Sequence, residues 1–354
     1  MNKDSNKKVR TCFIGLGKRA KTFYIPILKN ISEEFELCGF TKKTNSNVKE
    51  IEKKHKIPFF DSVDSLIKET LPELVVVCTP SAEVPKIIEQ IKNHKLVVFI
   101  DTPVFWDVNK TNNCTILASE QWPFLPIEQF KKVLISSGEL GEVFYAENES
   151  RTFEYHGIAQ LRSYFHPKKQ ISKITGSRLF RPGEDWSFGI TRYSDNTGFL
   201  YKFSYFVKKS DFRTHQGLKT YCSEGSIISG CLNEKGNDYE IFKISKDAGD
   251  TTEHHNAKVE RSKKTITNKE TSYHSGSNYQ ELLKISCEFT NGSKIIWENP
   301  FSGLGFNDQE IAIATLLTNA KNVCQNKSKP LYLAQRSLED YAIMSKIQQS
   351  AQTN

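Results

Sequence analysis

Long apolar runs are missing from this sequence. Its longest, at residues 74–78 and 96–100, are strand-sized, far short of the about 18 residues of a membrane-spanning helix. No membrane partner is expected. The opening MNKDSNKKVR has no apolar stretch of the kind a secretion signal carries, which points to a cytoplasmic protein. Paired cysteines are missing too. No two of the 8 cysteines are closer than Cys222 and Cys231, so the chain carries no Cys-x-x-Cys metal or redox signature. In a chain without a secretion signal they read as reduced thiols, several of them inside apolar strand patterns. A basic stripe interleaved with aromatics is likewise absent. The net charge of +8 comes from lysines scattered over most helices. That suits a solvated surface or a phosphate-bearing small molecule, and no nucleic acid is expected. Two adjacent histidines, His254 and His255, cannot build a metal site alone, and no metal is expected.

What is present is ordinary for a globular chain. With 38% hydrophobic and 25% charged residues, 19 Gly and 12 Pro, it is neither fibrous nor disordered. At about 100–200 residues per domain, 354 residues suggest two domains. Strand and helix patterns alternate over the first 105 or so residues. Strands are expected at 9–14, 35–41, 58–60, 74–79 and 96–100, with helices at 20–30, 48–55, 63–70 and 85–93. Continuous Val/Ile/Leu runs between helices mean strands covered on both faces, hence a doubly wound parallel sheet. Beyond residue 140 the pattern becomes that of an antiparallel sheet with turn-rich connections. It includes Asn291-Gly292, a strong short hairpin signal, between strands at 282–290 and 294–298. One helix at 157–165 enters this sheet, and helices at 307–326 and 336–351 close the chain. Residues 246–280, rich in Lys, Asp, Thr, Asn and Ser, read as a long exposed excursion. The expected domains are 1–125, 126–330 and a C-terminal helix segment, 331–354, packing back on the first domain.

The first strand ends in Gly15-Leu16-Gly17-Lys18-Arg19-Ala20 and opens into a helix. This is the G-x-G-x-x-G/A dinucleotide fingerprint in its strand–turn–helix setting. Gly15 permits the tight turn and Gly17 lets backbone approach a pyrophosphate. Ala20 allows close helix–strand packing, and the helix N-terminus presents free N–H groups. Classical NAD binders place an acidic residue at the end of the second strand for the ribose 2′-hydroxyl. Here Phe40-Thr41-Lys42-Lys43 offers a hydroxyl and cations instead, which favours NADP, with NAD the alternative.

With these features the chain resembles the Gfo/Idh/MocA oxidoreductases, the glucose–fructose oxidoreductase and inositol dehydrogenase family. The resemblance rests on Phe13-Ile14-Gly15-Leu16-Gly17, Tyr24-Ile25-Pro26-Ile27-Leu28 and Val77-Cys78-Thr79-Pro80. It continues through Ile100-Asp101-Thr102-Pro103, the Gly138-Glu139-Leu140-Gly141-Glu142-Val143 crossover and Leu338-Glu339-Asp340-Tyr341-Ala342. It implies a Rossmann domain followed by a mainly antiparallel substrate domain. It also implies cofactor contacts from Thr79, Pro80, Asp101 and Gln121, beside those of Lys18, Arg19, Thr41 and Lys42. The family's catalytic Glu-Lys-Pro is Asp101-Thr102-Pro103 here, and threonine cannot replace lysine as an acid or base. The family's histidine is matched by His156, five residues before Leu161-Arg162-Ser163-Tyr164, while its preceding aspartate position is Thr152.

Two readings follow. In the first, the protein is an NADP-dependent oxidoreductase acting on a sugar, cyclitol or other small carbonyl compound. His156 is then the acid/base, Tyr155 or Arg162 orients the substrate, and the Thr102 hydroxyl positions substrate or cofactor. In the second it is a cofactor-binding structural or regulatory homologue that has lost the catalytic lysine. Aromatic residues in both alternation classes of 199–206 suggest a sheet covered on both faces. The expected assembly is a homodimer or a dimer of dimers.

Overall fold

The structure is a computed structural model that describes residues 7–43, 47–108, 113–148, 154–181, 184–204, 218–231, 241–267 and 278–352. The chain forms two compact units. The first comprises Met1–Gln121, Thr265–Tyr279 and Leu304–Leu338. The second comprises Trp122–Lys264, Gln280–Gly303 and Glu339–Asn354.

The first unit is built on five parallel strands: β1 (Val9–Ile14), β2 (Phe35–Thr41), β3 (Leu74–Val77), β4 (Val97–Ile100) and β5 (Thr115–Ala118). They lie in the order β2-β1-β3-β4-β5. Every residue of β3 and β4 is buried, as their unbroken Val/Ile/Leu/Phe character requires of strands covered on both faces. After β1 a π-helical turn, Ala20–Tyr24, runs into α1 (Ile25–Asn30), with Pro26 in the first turn, where its missing N–H costs nothing. The other connections carry α2 (Val48–His55), α3 (Val63–Thr70) and α4 (Val84–Ile91). The start of α3 is fixed by a reciprocal cap between Ser62 and Ser65.

The fifth strand is not the one expected. Residues 58–60 form only a single bridge, Phe59 beside Phe40. Pro58 has no N–H to donate, so a ladder cannot extend through it. The fifth strand is β5 instead, four residues whose outer neighbour is a bridge from Leu117 to Leu333.

The second unit opens with a 3-10 turn (Trp122–Phe124) and α5 (Pro126–Ser136). Strand β6 (Val143–Asn148) and α6 (Glu154–Arg162) follow. An eight-stranded sheet joins β6 to β7 (Ile171–Arg181), β8 (Glu184–Tyr193), β9 (Gly198–Ser204), β10 (Leu218–Cys222), β11 (Gly225–Cys231), β12 (Ile241–Asp247) and β13 (Thr252–Asn256). Its order is β13-β12-β11-β10-β6-β9-β8-β7. Only β6 and β9 run parallel; its other described pairs are antiparallel. A smaller sheet combines β14 (Lys258–Thr267), β15 (Asn278–Glu288) and β16 (Lys294–Glu298). Gly292, at φ +83°, makes the β15–β16 turn where Asn291-Gly292 indicated one.

The excursion expected at 246–280 is therefore corrected: it contains β13, β14 and the start of β15, while 268–277 lie outside the described residues. The pattern misled because these strands bury little. Every residue of β13 is polar, and charged residues make up half of β14, the habit of sheet edges. Thr152 also lies outside the described residues.

The two closing helices exchange the places read from sequence. Helix α7 (Asp308–Cys324) packs in the first unit against α1, β3 and β4. Its buried Ile311, Ala312, Ile313, Leu316, Leu317 and Ala320 make it apolar on most sides. Helix α8 (Ala334–Gln352) belongs from Glu339 onward to the second unit. There Gly176 and Gly189, paired across β7 and β8, let it lie directly on the sheet. A Cβ on Gly176 would sit 2.1 Å from the Ile347 carbonyl oxygen, and one on Gly189 would sit 2.4 Å from Ile347 Cδ1.

Candidate nucleotide site and the helix carrying His156

In an open α/β sheet, ligands bind beyond the carboxyl ends of the strands. In the first unit those ends deliver Gly15 from β1, Thr41 from β2, Thr79 after β3, Asp101 after β4 and Gln121 after β5. Gly15 sits at φ +84°, and a Cβ there would lie 2.5 Å from Thr79 Cγ2 and 2.6 Å from the Cys78 carbonyl oxygen. Both the backbone conformation and the space demand glycine. Its N–H donates to the Thr41 carbonyl at 2.8 Å, which fastens the turn to the end of β2.

Gly17 differs. A Cβ there would meet only the Cys78 carbonyl oxygen, at 3.9 Å, so packing within the protein does not explain the glycine. Close approach by a ligand does. Thr79 adds a second sign: its Oγ1 is buried without a hydrogen-bond partner among the described residues, a situation that costs free energy unless a ligand or water satisfies it. Ala20, fully buried, closes the helix onto the sheet as the fingerprint requires. The residues present thus fit a dinucleotide.

Arg19 ties this edge together. Its NH2 donates to Gln121 Oε1 at 2.9 Å, its Nε stands 3.5 Å from Asp101 Oδ2, and its guanidinium lies 4.9 Å over the Phe23 ring. The Tyr24 hydroxyl lies 3.0 Å from Asp101 Oδ1 and 2.9 Å from Ser119 Oγ. Burial, and then the Asp101 charge, push Tyr24 well above the ordinary phenol range, so it stays protonated. The Asp101 carboxylate, implied above as a cofactor contact, holds Tyr24 and Arg19. Sequence reading missed Tyr24 and Ser119 as members of this cluster. No local signal marks them, because their partners stand 77 and 95 positions away.

Thr41 is buried and Lys42 half-buried. Lys43 is exposed, with Glu83 3.6 Å from its ammonium. Lys18 and Pro80 are exposed, and Thr102, before the cis Pro103, is half-buried.

The remaining predicted residues lie in the second unit, on α6. Tyr155 is buried, and its ring packs against His156 (centroids 4.2 Å) and Tyr341 (6.4 Å). The half-buried His156 also faces Trp122, with centroids 6.0 Å apart. Arg162, expected to bind substrate, is corrected. It is buried, its NH1 paired with the fully buried Asp340 and its NH2 2.7 Å from Glu339. Its guanidinium joins α6 to α8. Asp340→Ala is therefore expected to destabilise the protein by about 3–5 kcal/mol, the cost of leaving a buried charge unpaired. Urea denaturation checks this; a change within about 0.5 kcal/mol, the ordinary surface effect, would refute the structural role. Among the described residues no group of three metal-ligating side chains comes together, and no helix is long and apolar enough to cross a membrane.

Comparison with known proteins gives the same picture. Residues 9–122 match the family model described as oxidoreductase family, NAD-binding Rossmann fold, of the Gfo/Idh/MocA group. No curated protein matches the chain in sequence. Solved structures of similar fold include a UDP-N-acetylglucosamine 3-dehydrogenase from Acidithiobacillus ferrooxidans, at 10% identity and TM-score 0.64 over 98% of this chain and 99% of that one. A levoglucosan dehydrogenase, in complex with NADH and levoglucosan, gives 11% identity and TM-score 0.67 over 98% of both chains. The WlbA dehydrogenase from Bordetella pertussis, in complex with NADH and UDP-GlcNAcA, gives 12% and 0.64 over 98% and 97%. With their five-stranded parallel sheet and a glycine turn that leaves its second glycine open, residues 9–122 form an NAD-binding Rossmann domain that matches the model of the Gfo/Idh/MocA oxidoreductases.

Proposed function

We propose that the protein is an NADP-dependent oxidoreductase that moves a hydride between the nicotinamide and a small carbonyl or hydroxyl compound of the sugar or cyclitol class. The observation that carries the nucleotide part is the open side of Gly17 beside the unsatisfied Thr79 hydroxyl. The sugar class is suggested by structural neighbours crystallised with levoglucosan and with a UDP-sugar. The cofactor supplies the hydride, and the chain must supply orientation and a proton relay. His156 is assigned the relay by its match to the family's histidine. Tyr155, packed against it, holds the ring's orientation.

NADP is favoured over NAD because Thr41 and Lys42 follow β2 where an NAD binder carries a carboxylate. Lys42, directly after Thr41 at the end of β2, is the cation assigned to the 2′-phosphate. Calorimetric titration is expected to give tighter binding for NADP(H) than NAD(H), and Lys42→Asp is expected to invert the order. Equal or tighter NAD(H) binding by the unaltered protein would contradict this reading of the loop.

A nucleotide-binding non-enzyme is the second reading, favoured by Thr102 standing where the family carries its lysine. Native mass spectrometry for bound nicotinamide nucleotide, followed by a panel of carbonyl and polyol substrates, separates the two. Turnover supports the enzyme; tight cofactor binding without turnover supports the alternative.

The assembly we propose is a homodimer, or a dimer of dimers, formed through the large sheet. One face of β7 and β8 presents Leu179 and Ile190, 63% and 54% exposed, beside half-buried Trp186 and Phe188. Register places these four on a common face with Leu200 of β9. Adjacent apolar side chains of this size on a sheet face mark an interaction surface. Light scattering at micromolar concentration is expected to give at least twice the chain mass, and a monomeric mass would count against it.

A further inference from the structure

Two cysteines of the first unit stand side by side on neighbouring strands. Cys12 lies on β1 and Cys38 on β2. The β1–β2 register shifts between Thr11 and Cys12, so Thr11 pairs with Leu37 while Cys12 pairs with Gly39. Cys38 is the extra residue of that bulge. The preceding pair on the same face is Arg10 and Glu36, whose side chains meet at 3.5 Å. Two positions further along, the bulge sets Cys38 beside Cys12 on the neighbouring strand, on the face that Arg10 and Glu36 share. Cys12 Sγ is also 3.1 Å from Thr70 Oγ1, and Cys38 Sγ is 3.3 Å from the Glu36 carbonyl oxygen.

Geometry permits a bond between them. Adjacent strands lie about 4.8 Å apart and a one-residue offset adds about 3.3 Å along the strand. The resulting diagonal of about 5.8 Å falls inside the Cα span a disulfide accepts. Exposure differs across the pair: Cys12 is fully buried and Cys38 half-buried. The neighbouring Cys12 holds the Cys38 thiol below its ordinary range against the opposing effects of burial and Glu36, with Arg10 assisting. Cys12 is held far above it by the neighbouring Cys38 and by burial. This is the asymmetry of an attacking thiol with a resolving partner.

We propose that Cys38 and Cys12 form a reversible redox modification site. Cys38 as thiolate attacks a hydroperoxide. The O–O bond breaks, a sulfur–oxygen bond forms, and after protonation water or an alcohol leaves with Cys38 as sulfenic acid. The Cys12 thiol then condenses with it: the S–S bond forms, the S–O bond breaks, and a second water leaves. The two electrons lost by the thiols are those gained by the peroxide. A dithiol reductant returns both thiols. The site sits on the two strands whose ends carry Gly15 and Thr41, and it stands independently of the chemistry proposed for the nucleotide.

The test uses the whole protein, reduced and then treated with hydrogen peroxide. Trypsin separates the cysteines into peptides 11–18 and 30–42, each with a single cysteine. The expected product is those two peptides joined with loss of two hydrogens, and dithiothreitol releases them. Cys38→Ser is expected to abolish the linked peptide. Cys12→Ser is expected to leave Cys38 as a sulfenic acid that dimedone traps. Peroxide-treated protein in which both peptides still alkylate fully overturns the proposal, and so does Cys38 linked to any cysteine other than Cys12. The mapping of the unaltered protein decides the matter even where the buried Cys12→Ser variant folds poorly.

Discussion

Gly17→Val is expected to abolish binding of both NADP(H) and NAD(H) while the protein keeps its fold. The two halves of that expectation come from the same contact. A Cβ at position 17 meets only the Cys78 carbonyl oxygen, at an ordinary 3.9 Å. The protein leaves room for the Cβ, so thermal unfolding of the apoprotein is expected to stay close to that of the parent. The space the side chain enters is the one through which backbone approaches a pyrophosphate. Gly15→Val is the informative contrast. Position 15 holds φ +84°, and its Cβ would be 2.5 Å from Thr79 Cγ2. That variant is expected to lose stability together with binding, since a β-branched residue is strained at such a φ. Calorimetric titration with each nucleotide, alongside melting curves, separates the two effects. Gly17→Val that binds nucleotide with near-parent affinity would remove the glycine turn from the proposed site.

The turn itself was legible because its chemistry is local: Gly15, Gly17 and Ala20 fall within six residues, directly after an apolar strand. The covered strands β3 and β4 were legible for a similar reason, as an unbroken run of branched residues has few other places to go. What escaped was set by distant or weak signals. Strand β5 is four residues long, with Thr115 leading it, and no short pattern distinguishes it from loop. Strands β13 and β14 carry polar side chains because their faces are largely exposed, so the hydrophobic alternation that betrays a strand is missing. The exchange of the two closing helices turned on Gly176 and Gly189, whose meaning appears only once β7 and β8 are paired. Arg162 shows the limit most directly. A buried arginine on a helix next to a candidate catalytic histidine looks like a ligand-binding cation. Its partner Asp340 lies 178 positions further along the chain, and nothing local announces it.

His156→Asn is expected to lower turnover by roughly 10²–10⁴, the usual worth of general acid–base catalysis, with NADP(H) affinity nearly unchanged. The argument is partly one of elimination. On the proposed reading Thr102 stands at the family's lysine position, and a hydroxyl there positions but does not exchange protons near neutral pH. Asp101 is engaged by the Tyr24 hydroxyl and by Arg19. The Tyr24 phenol, fully buried and held protonated, is a fixed donor to that cluster. Arg162 belongs to Asp340 and Glu339. The imidazole of His156 is the remaining candidate that matches the family pattern, and imidazole is the side chain suited to proton transfer near neutral pH. Its setting favours a fixed orientation: the ring lies against Tyr155 and faces Trp122 on the helix that Arg162 anchors. Asparagine keeps a polar group of similar reach without the titrating nitrogen, so the variant isolates proton transfer from packing. Thr102→Ala is expected to cost much less, and the two together give the comparison that decides the assignment. Steady-state rates and nucleotide titrations on both variants provide it. A His156→Asn enzyme with parent turnover would sink the role given to His156, and would return the proton to an unassigned base or to the substrate itself.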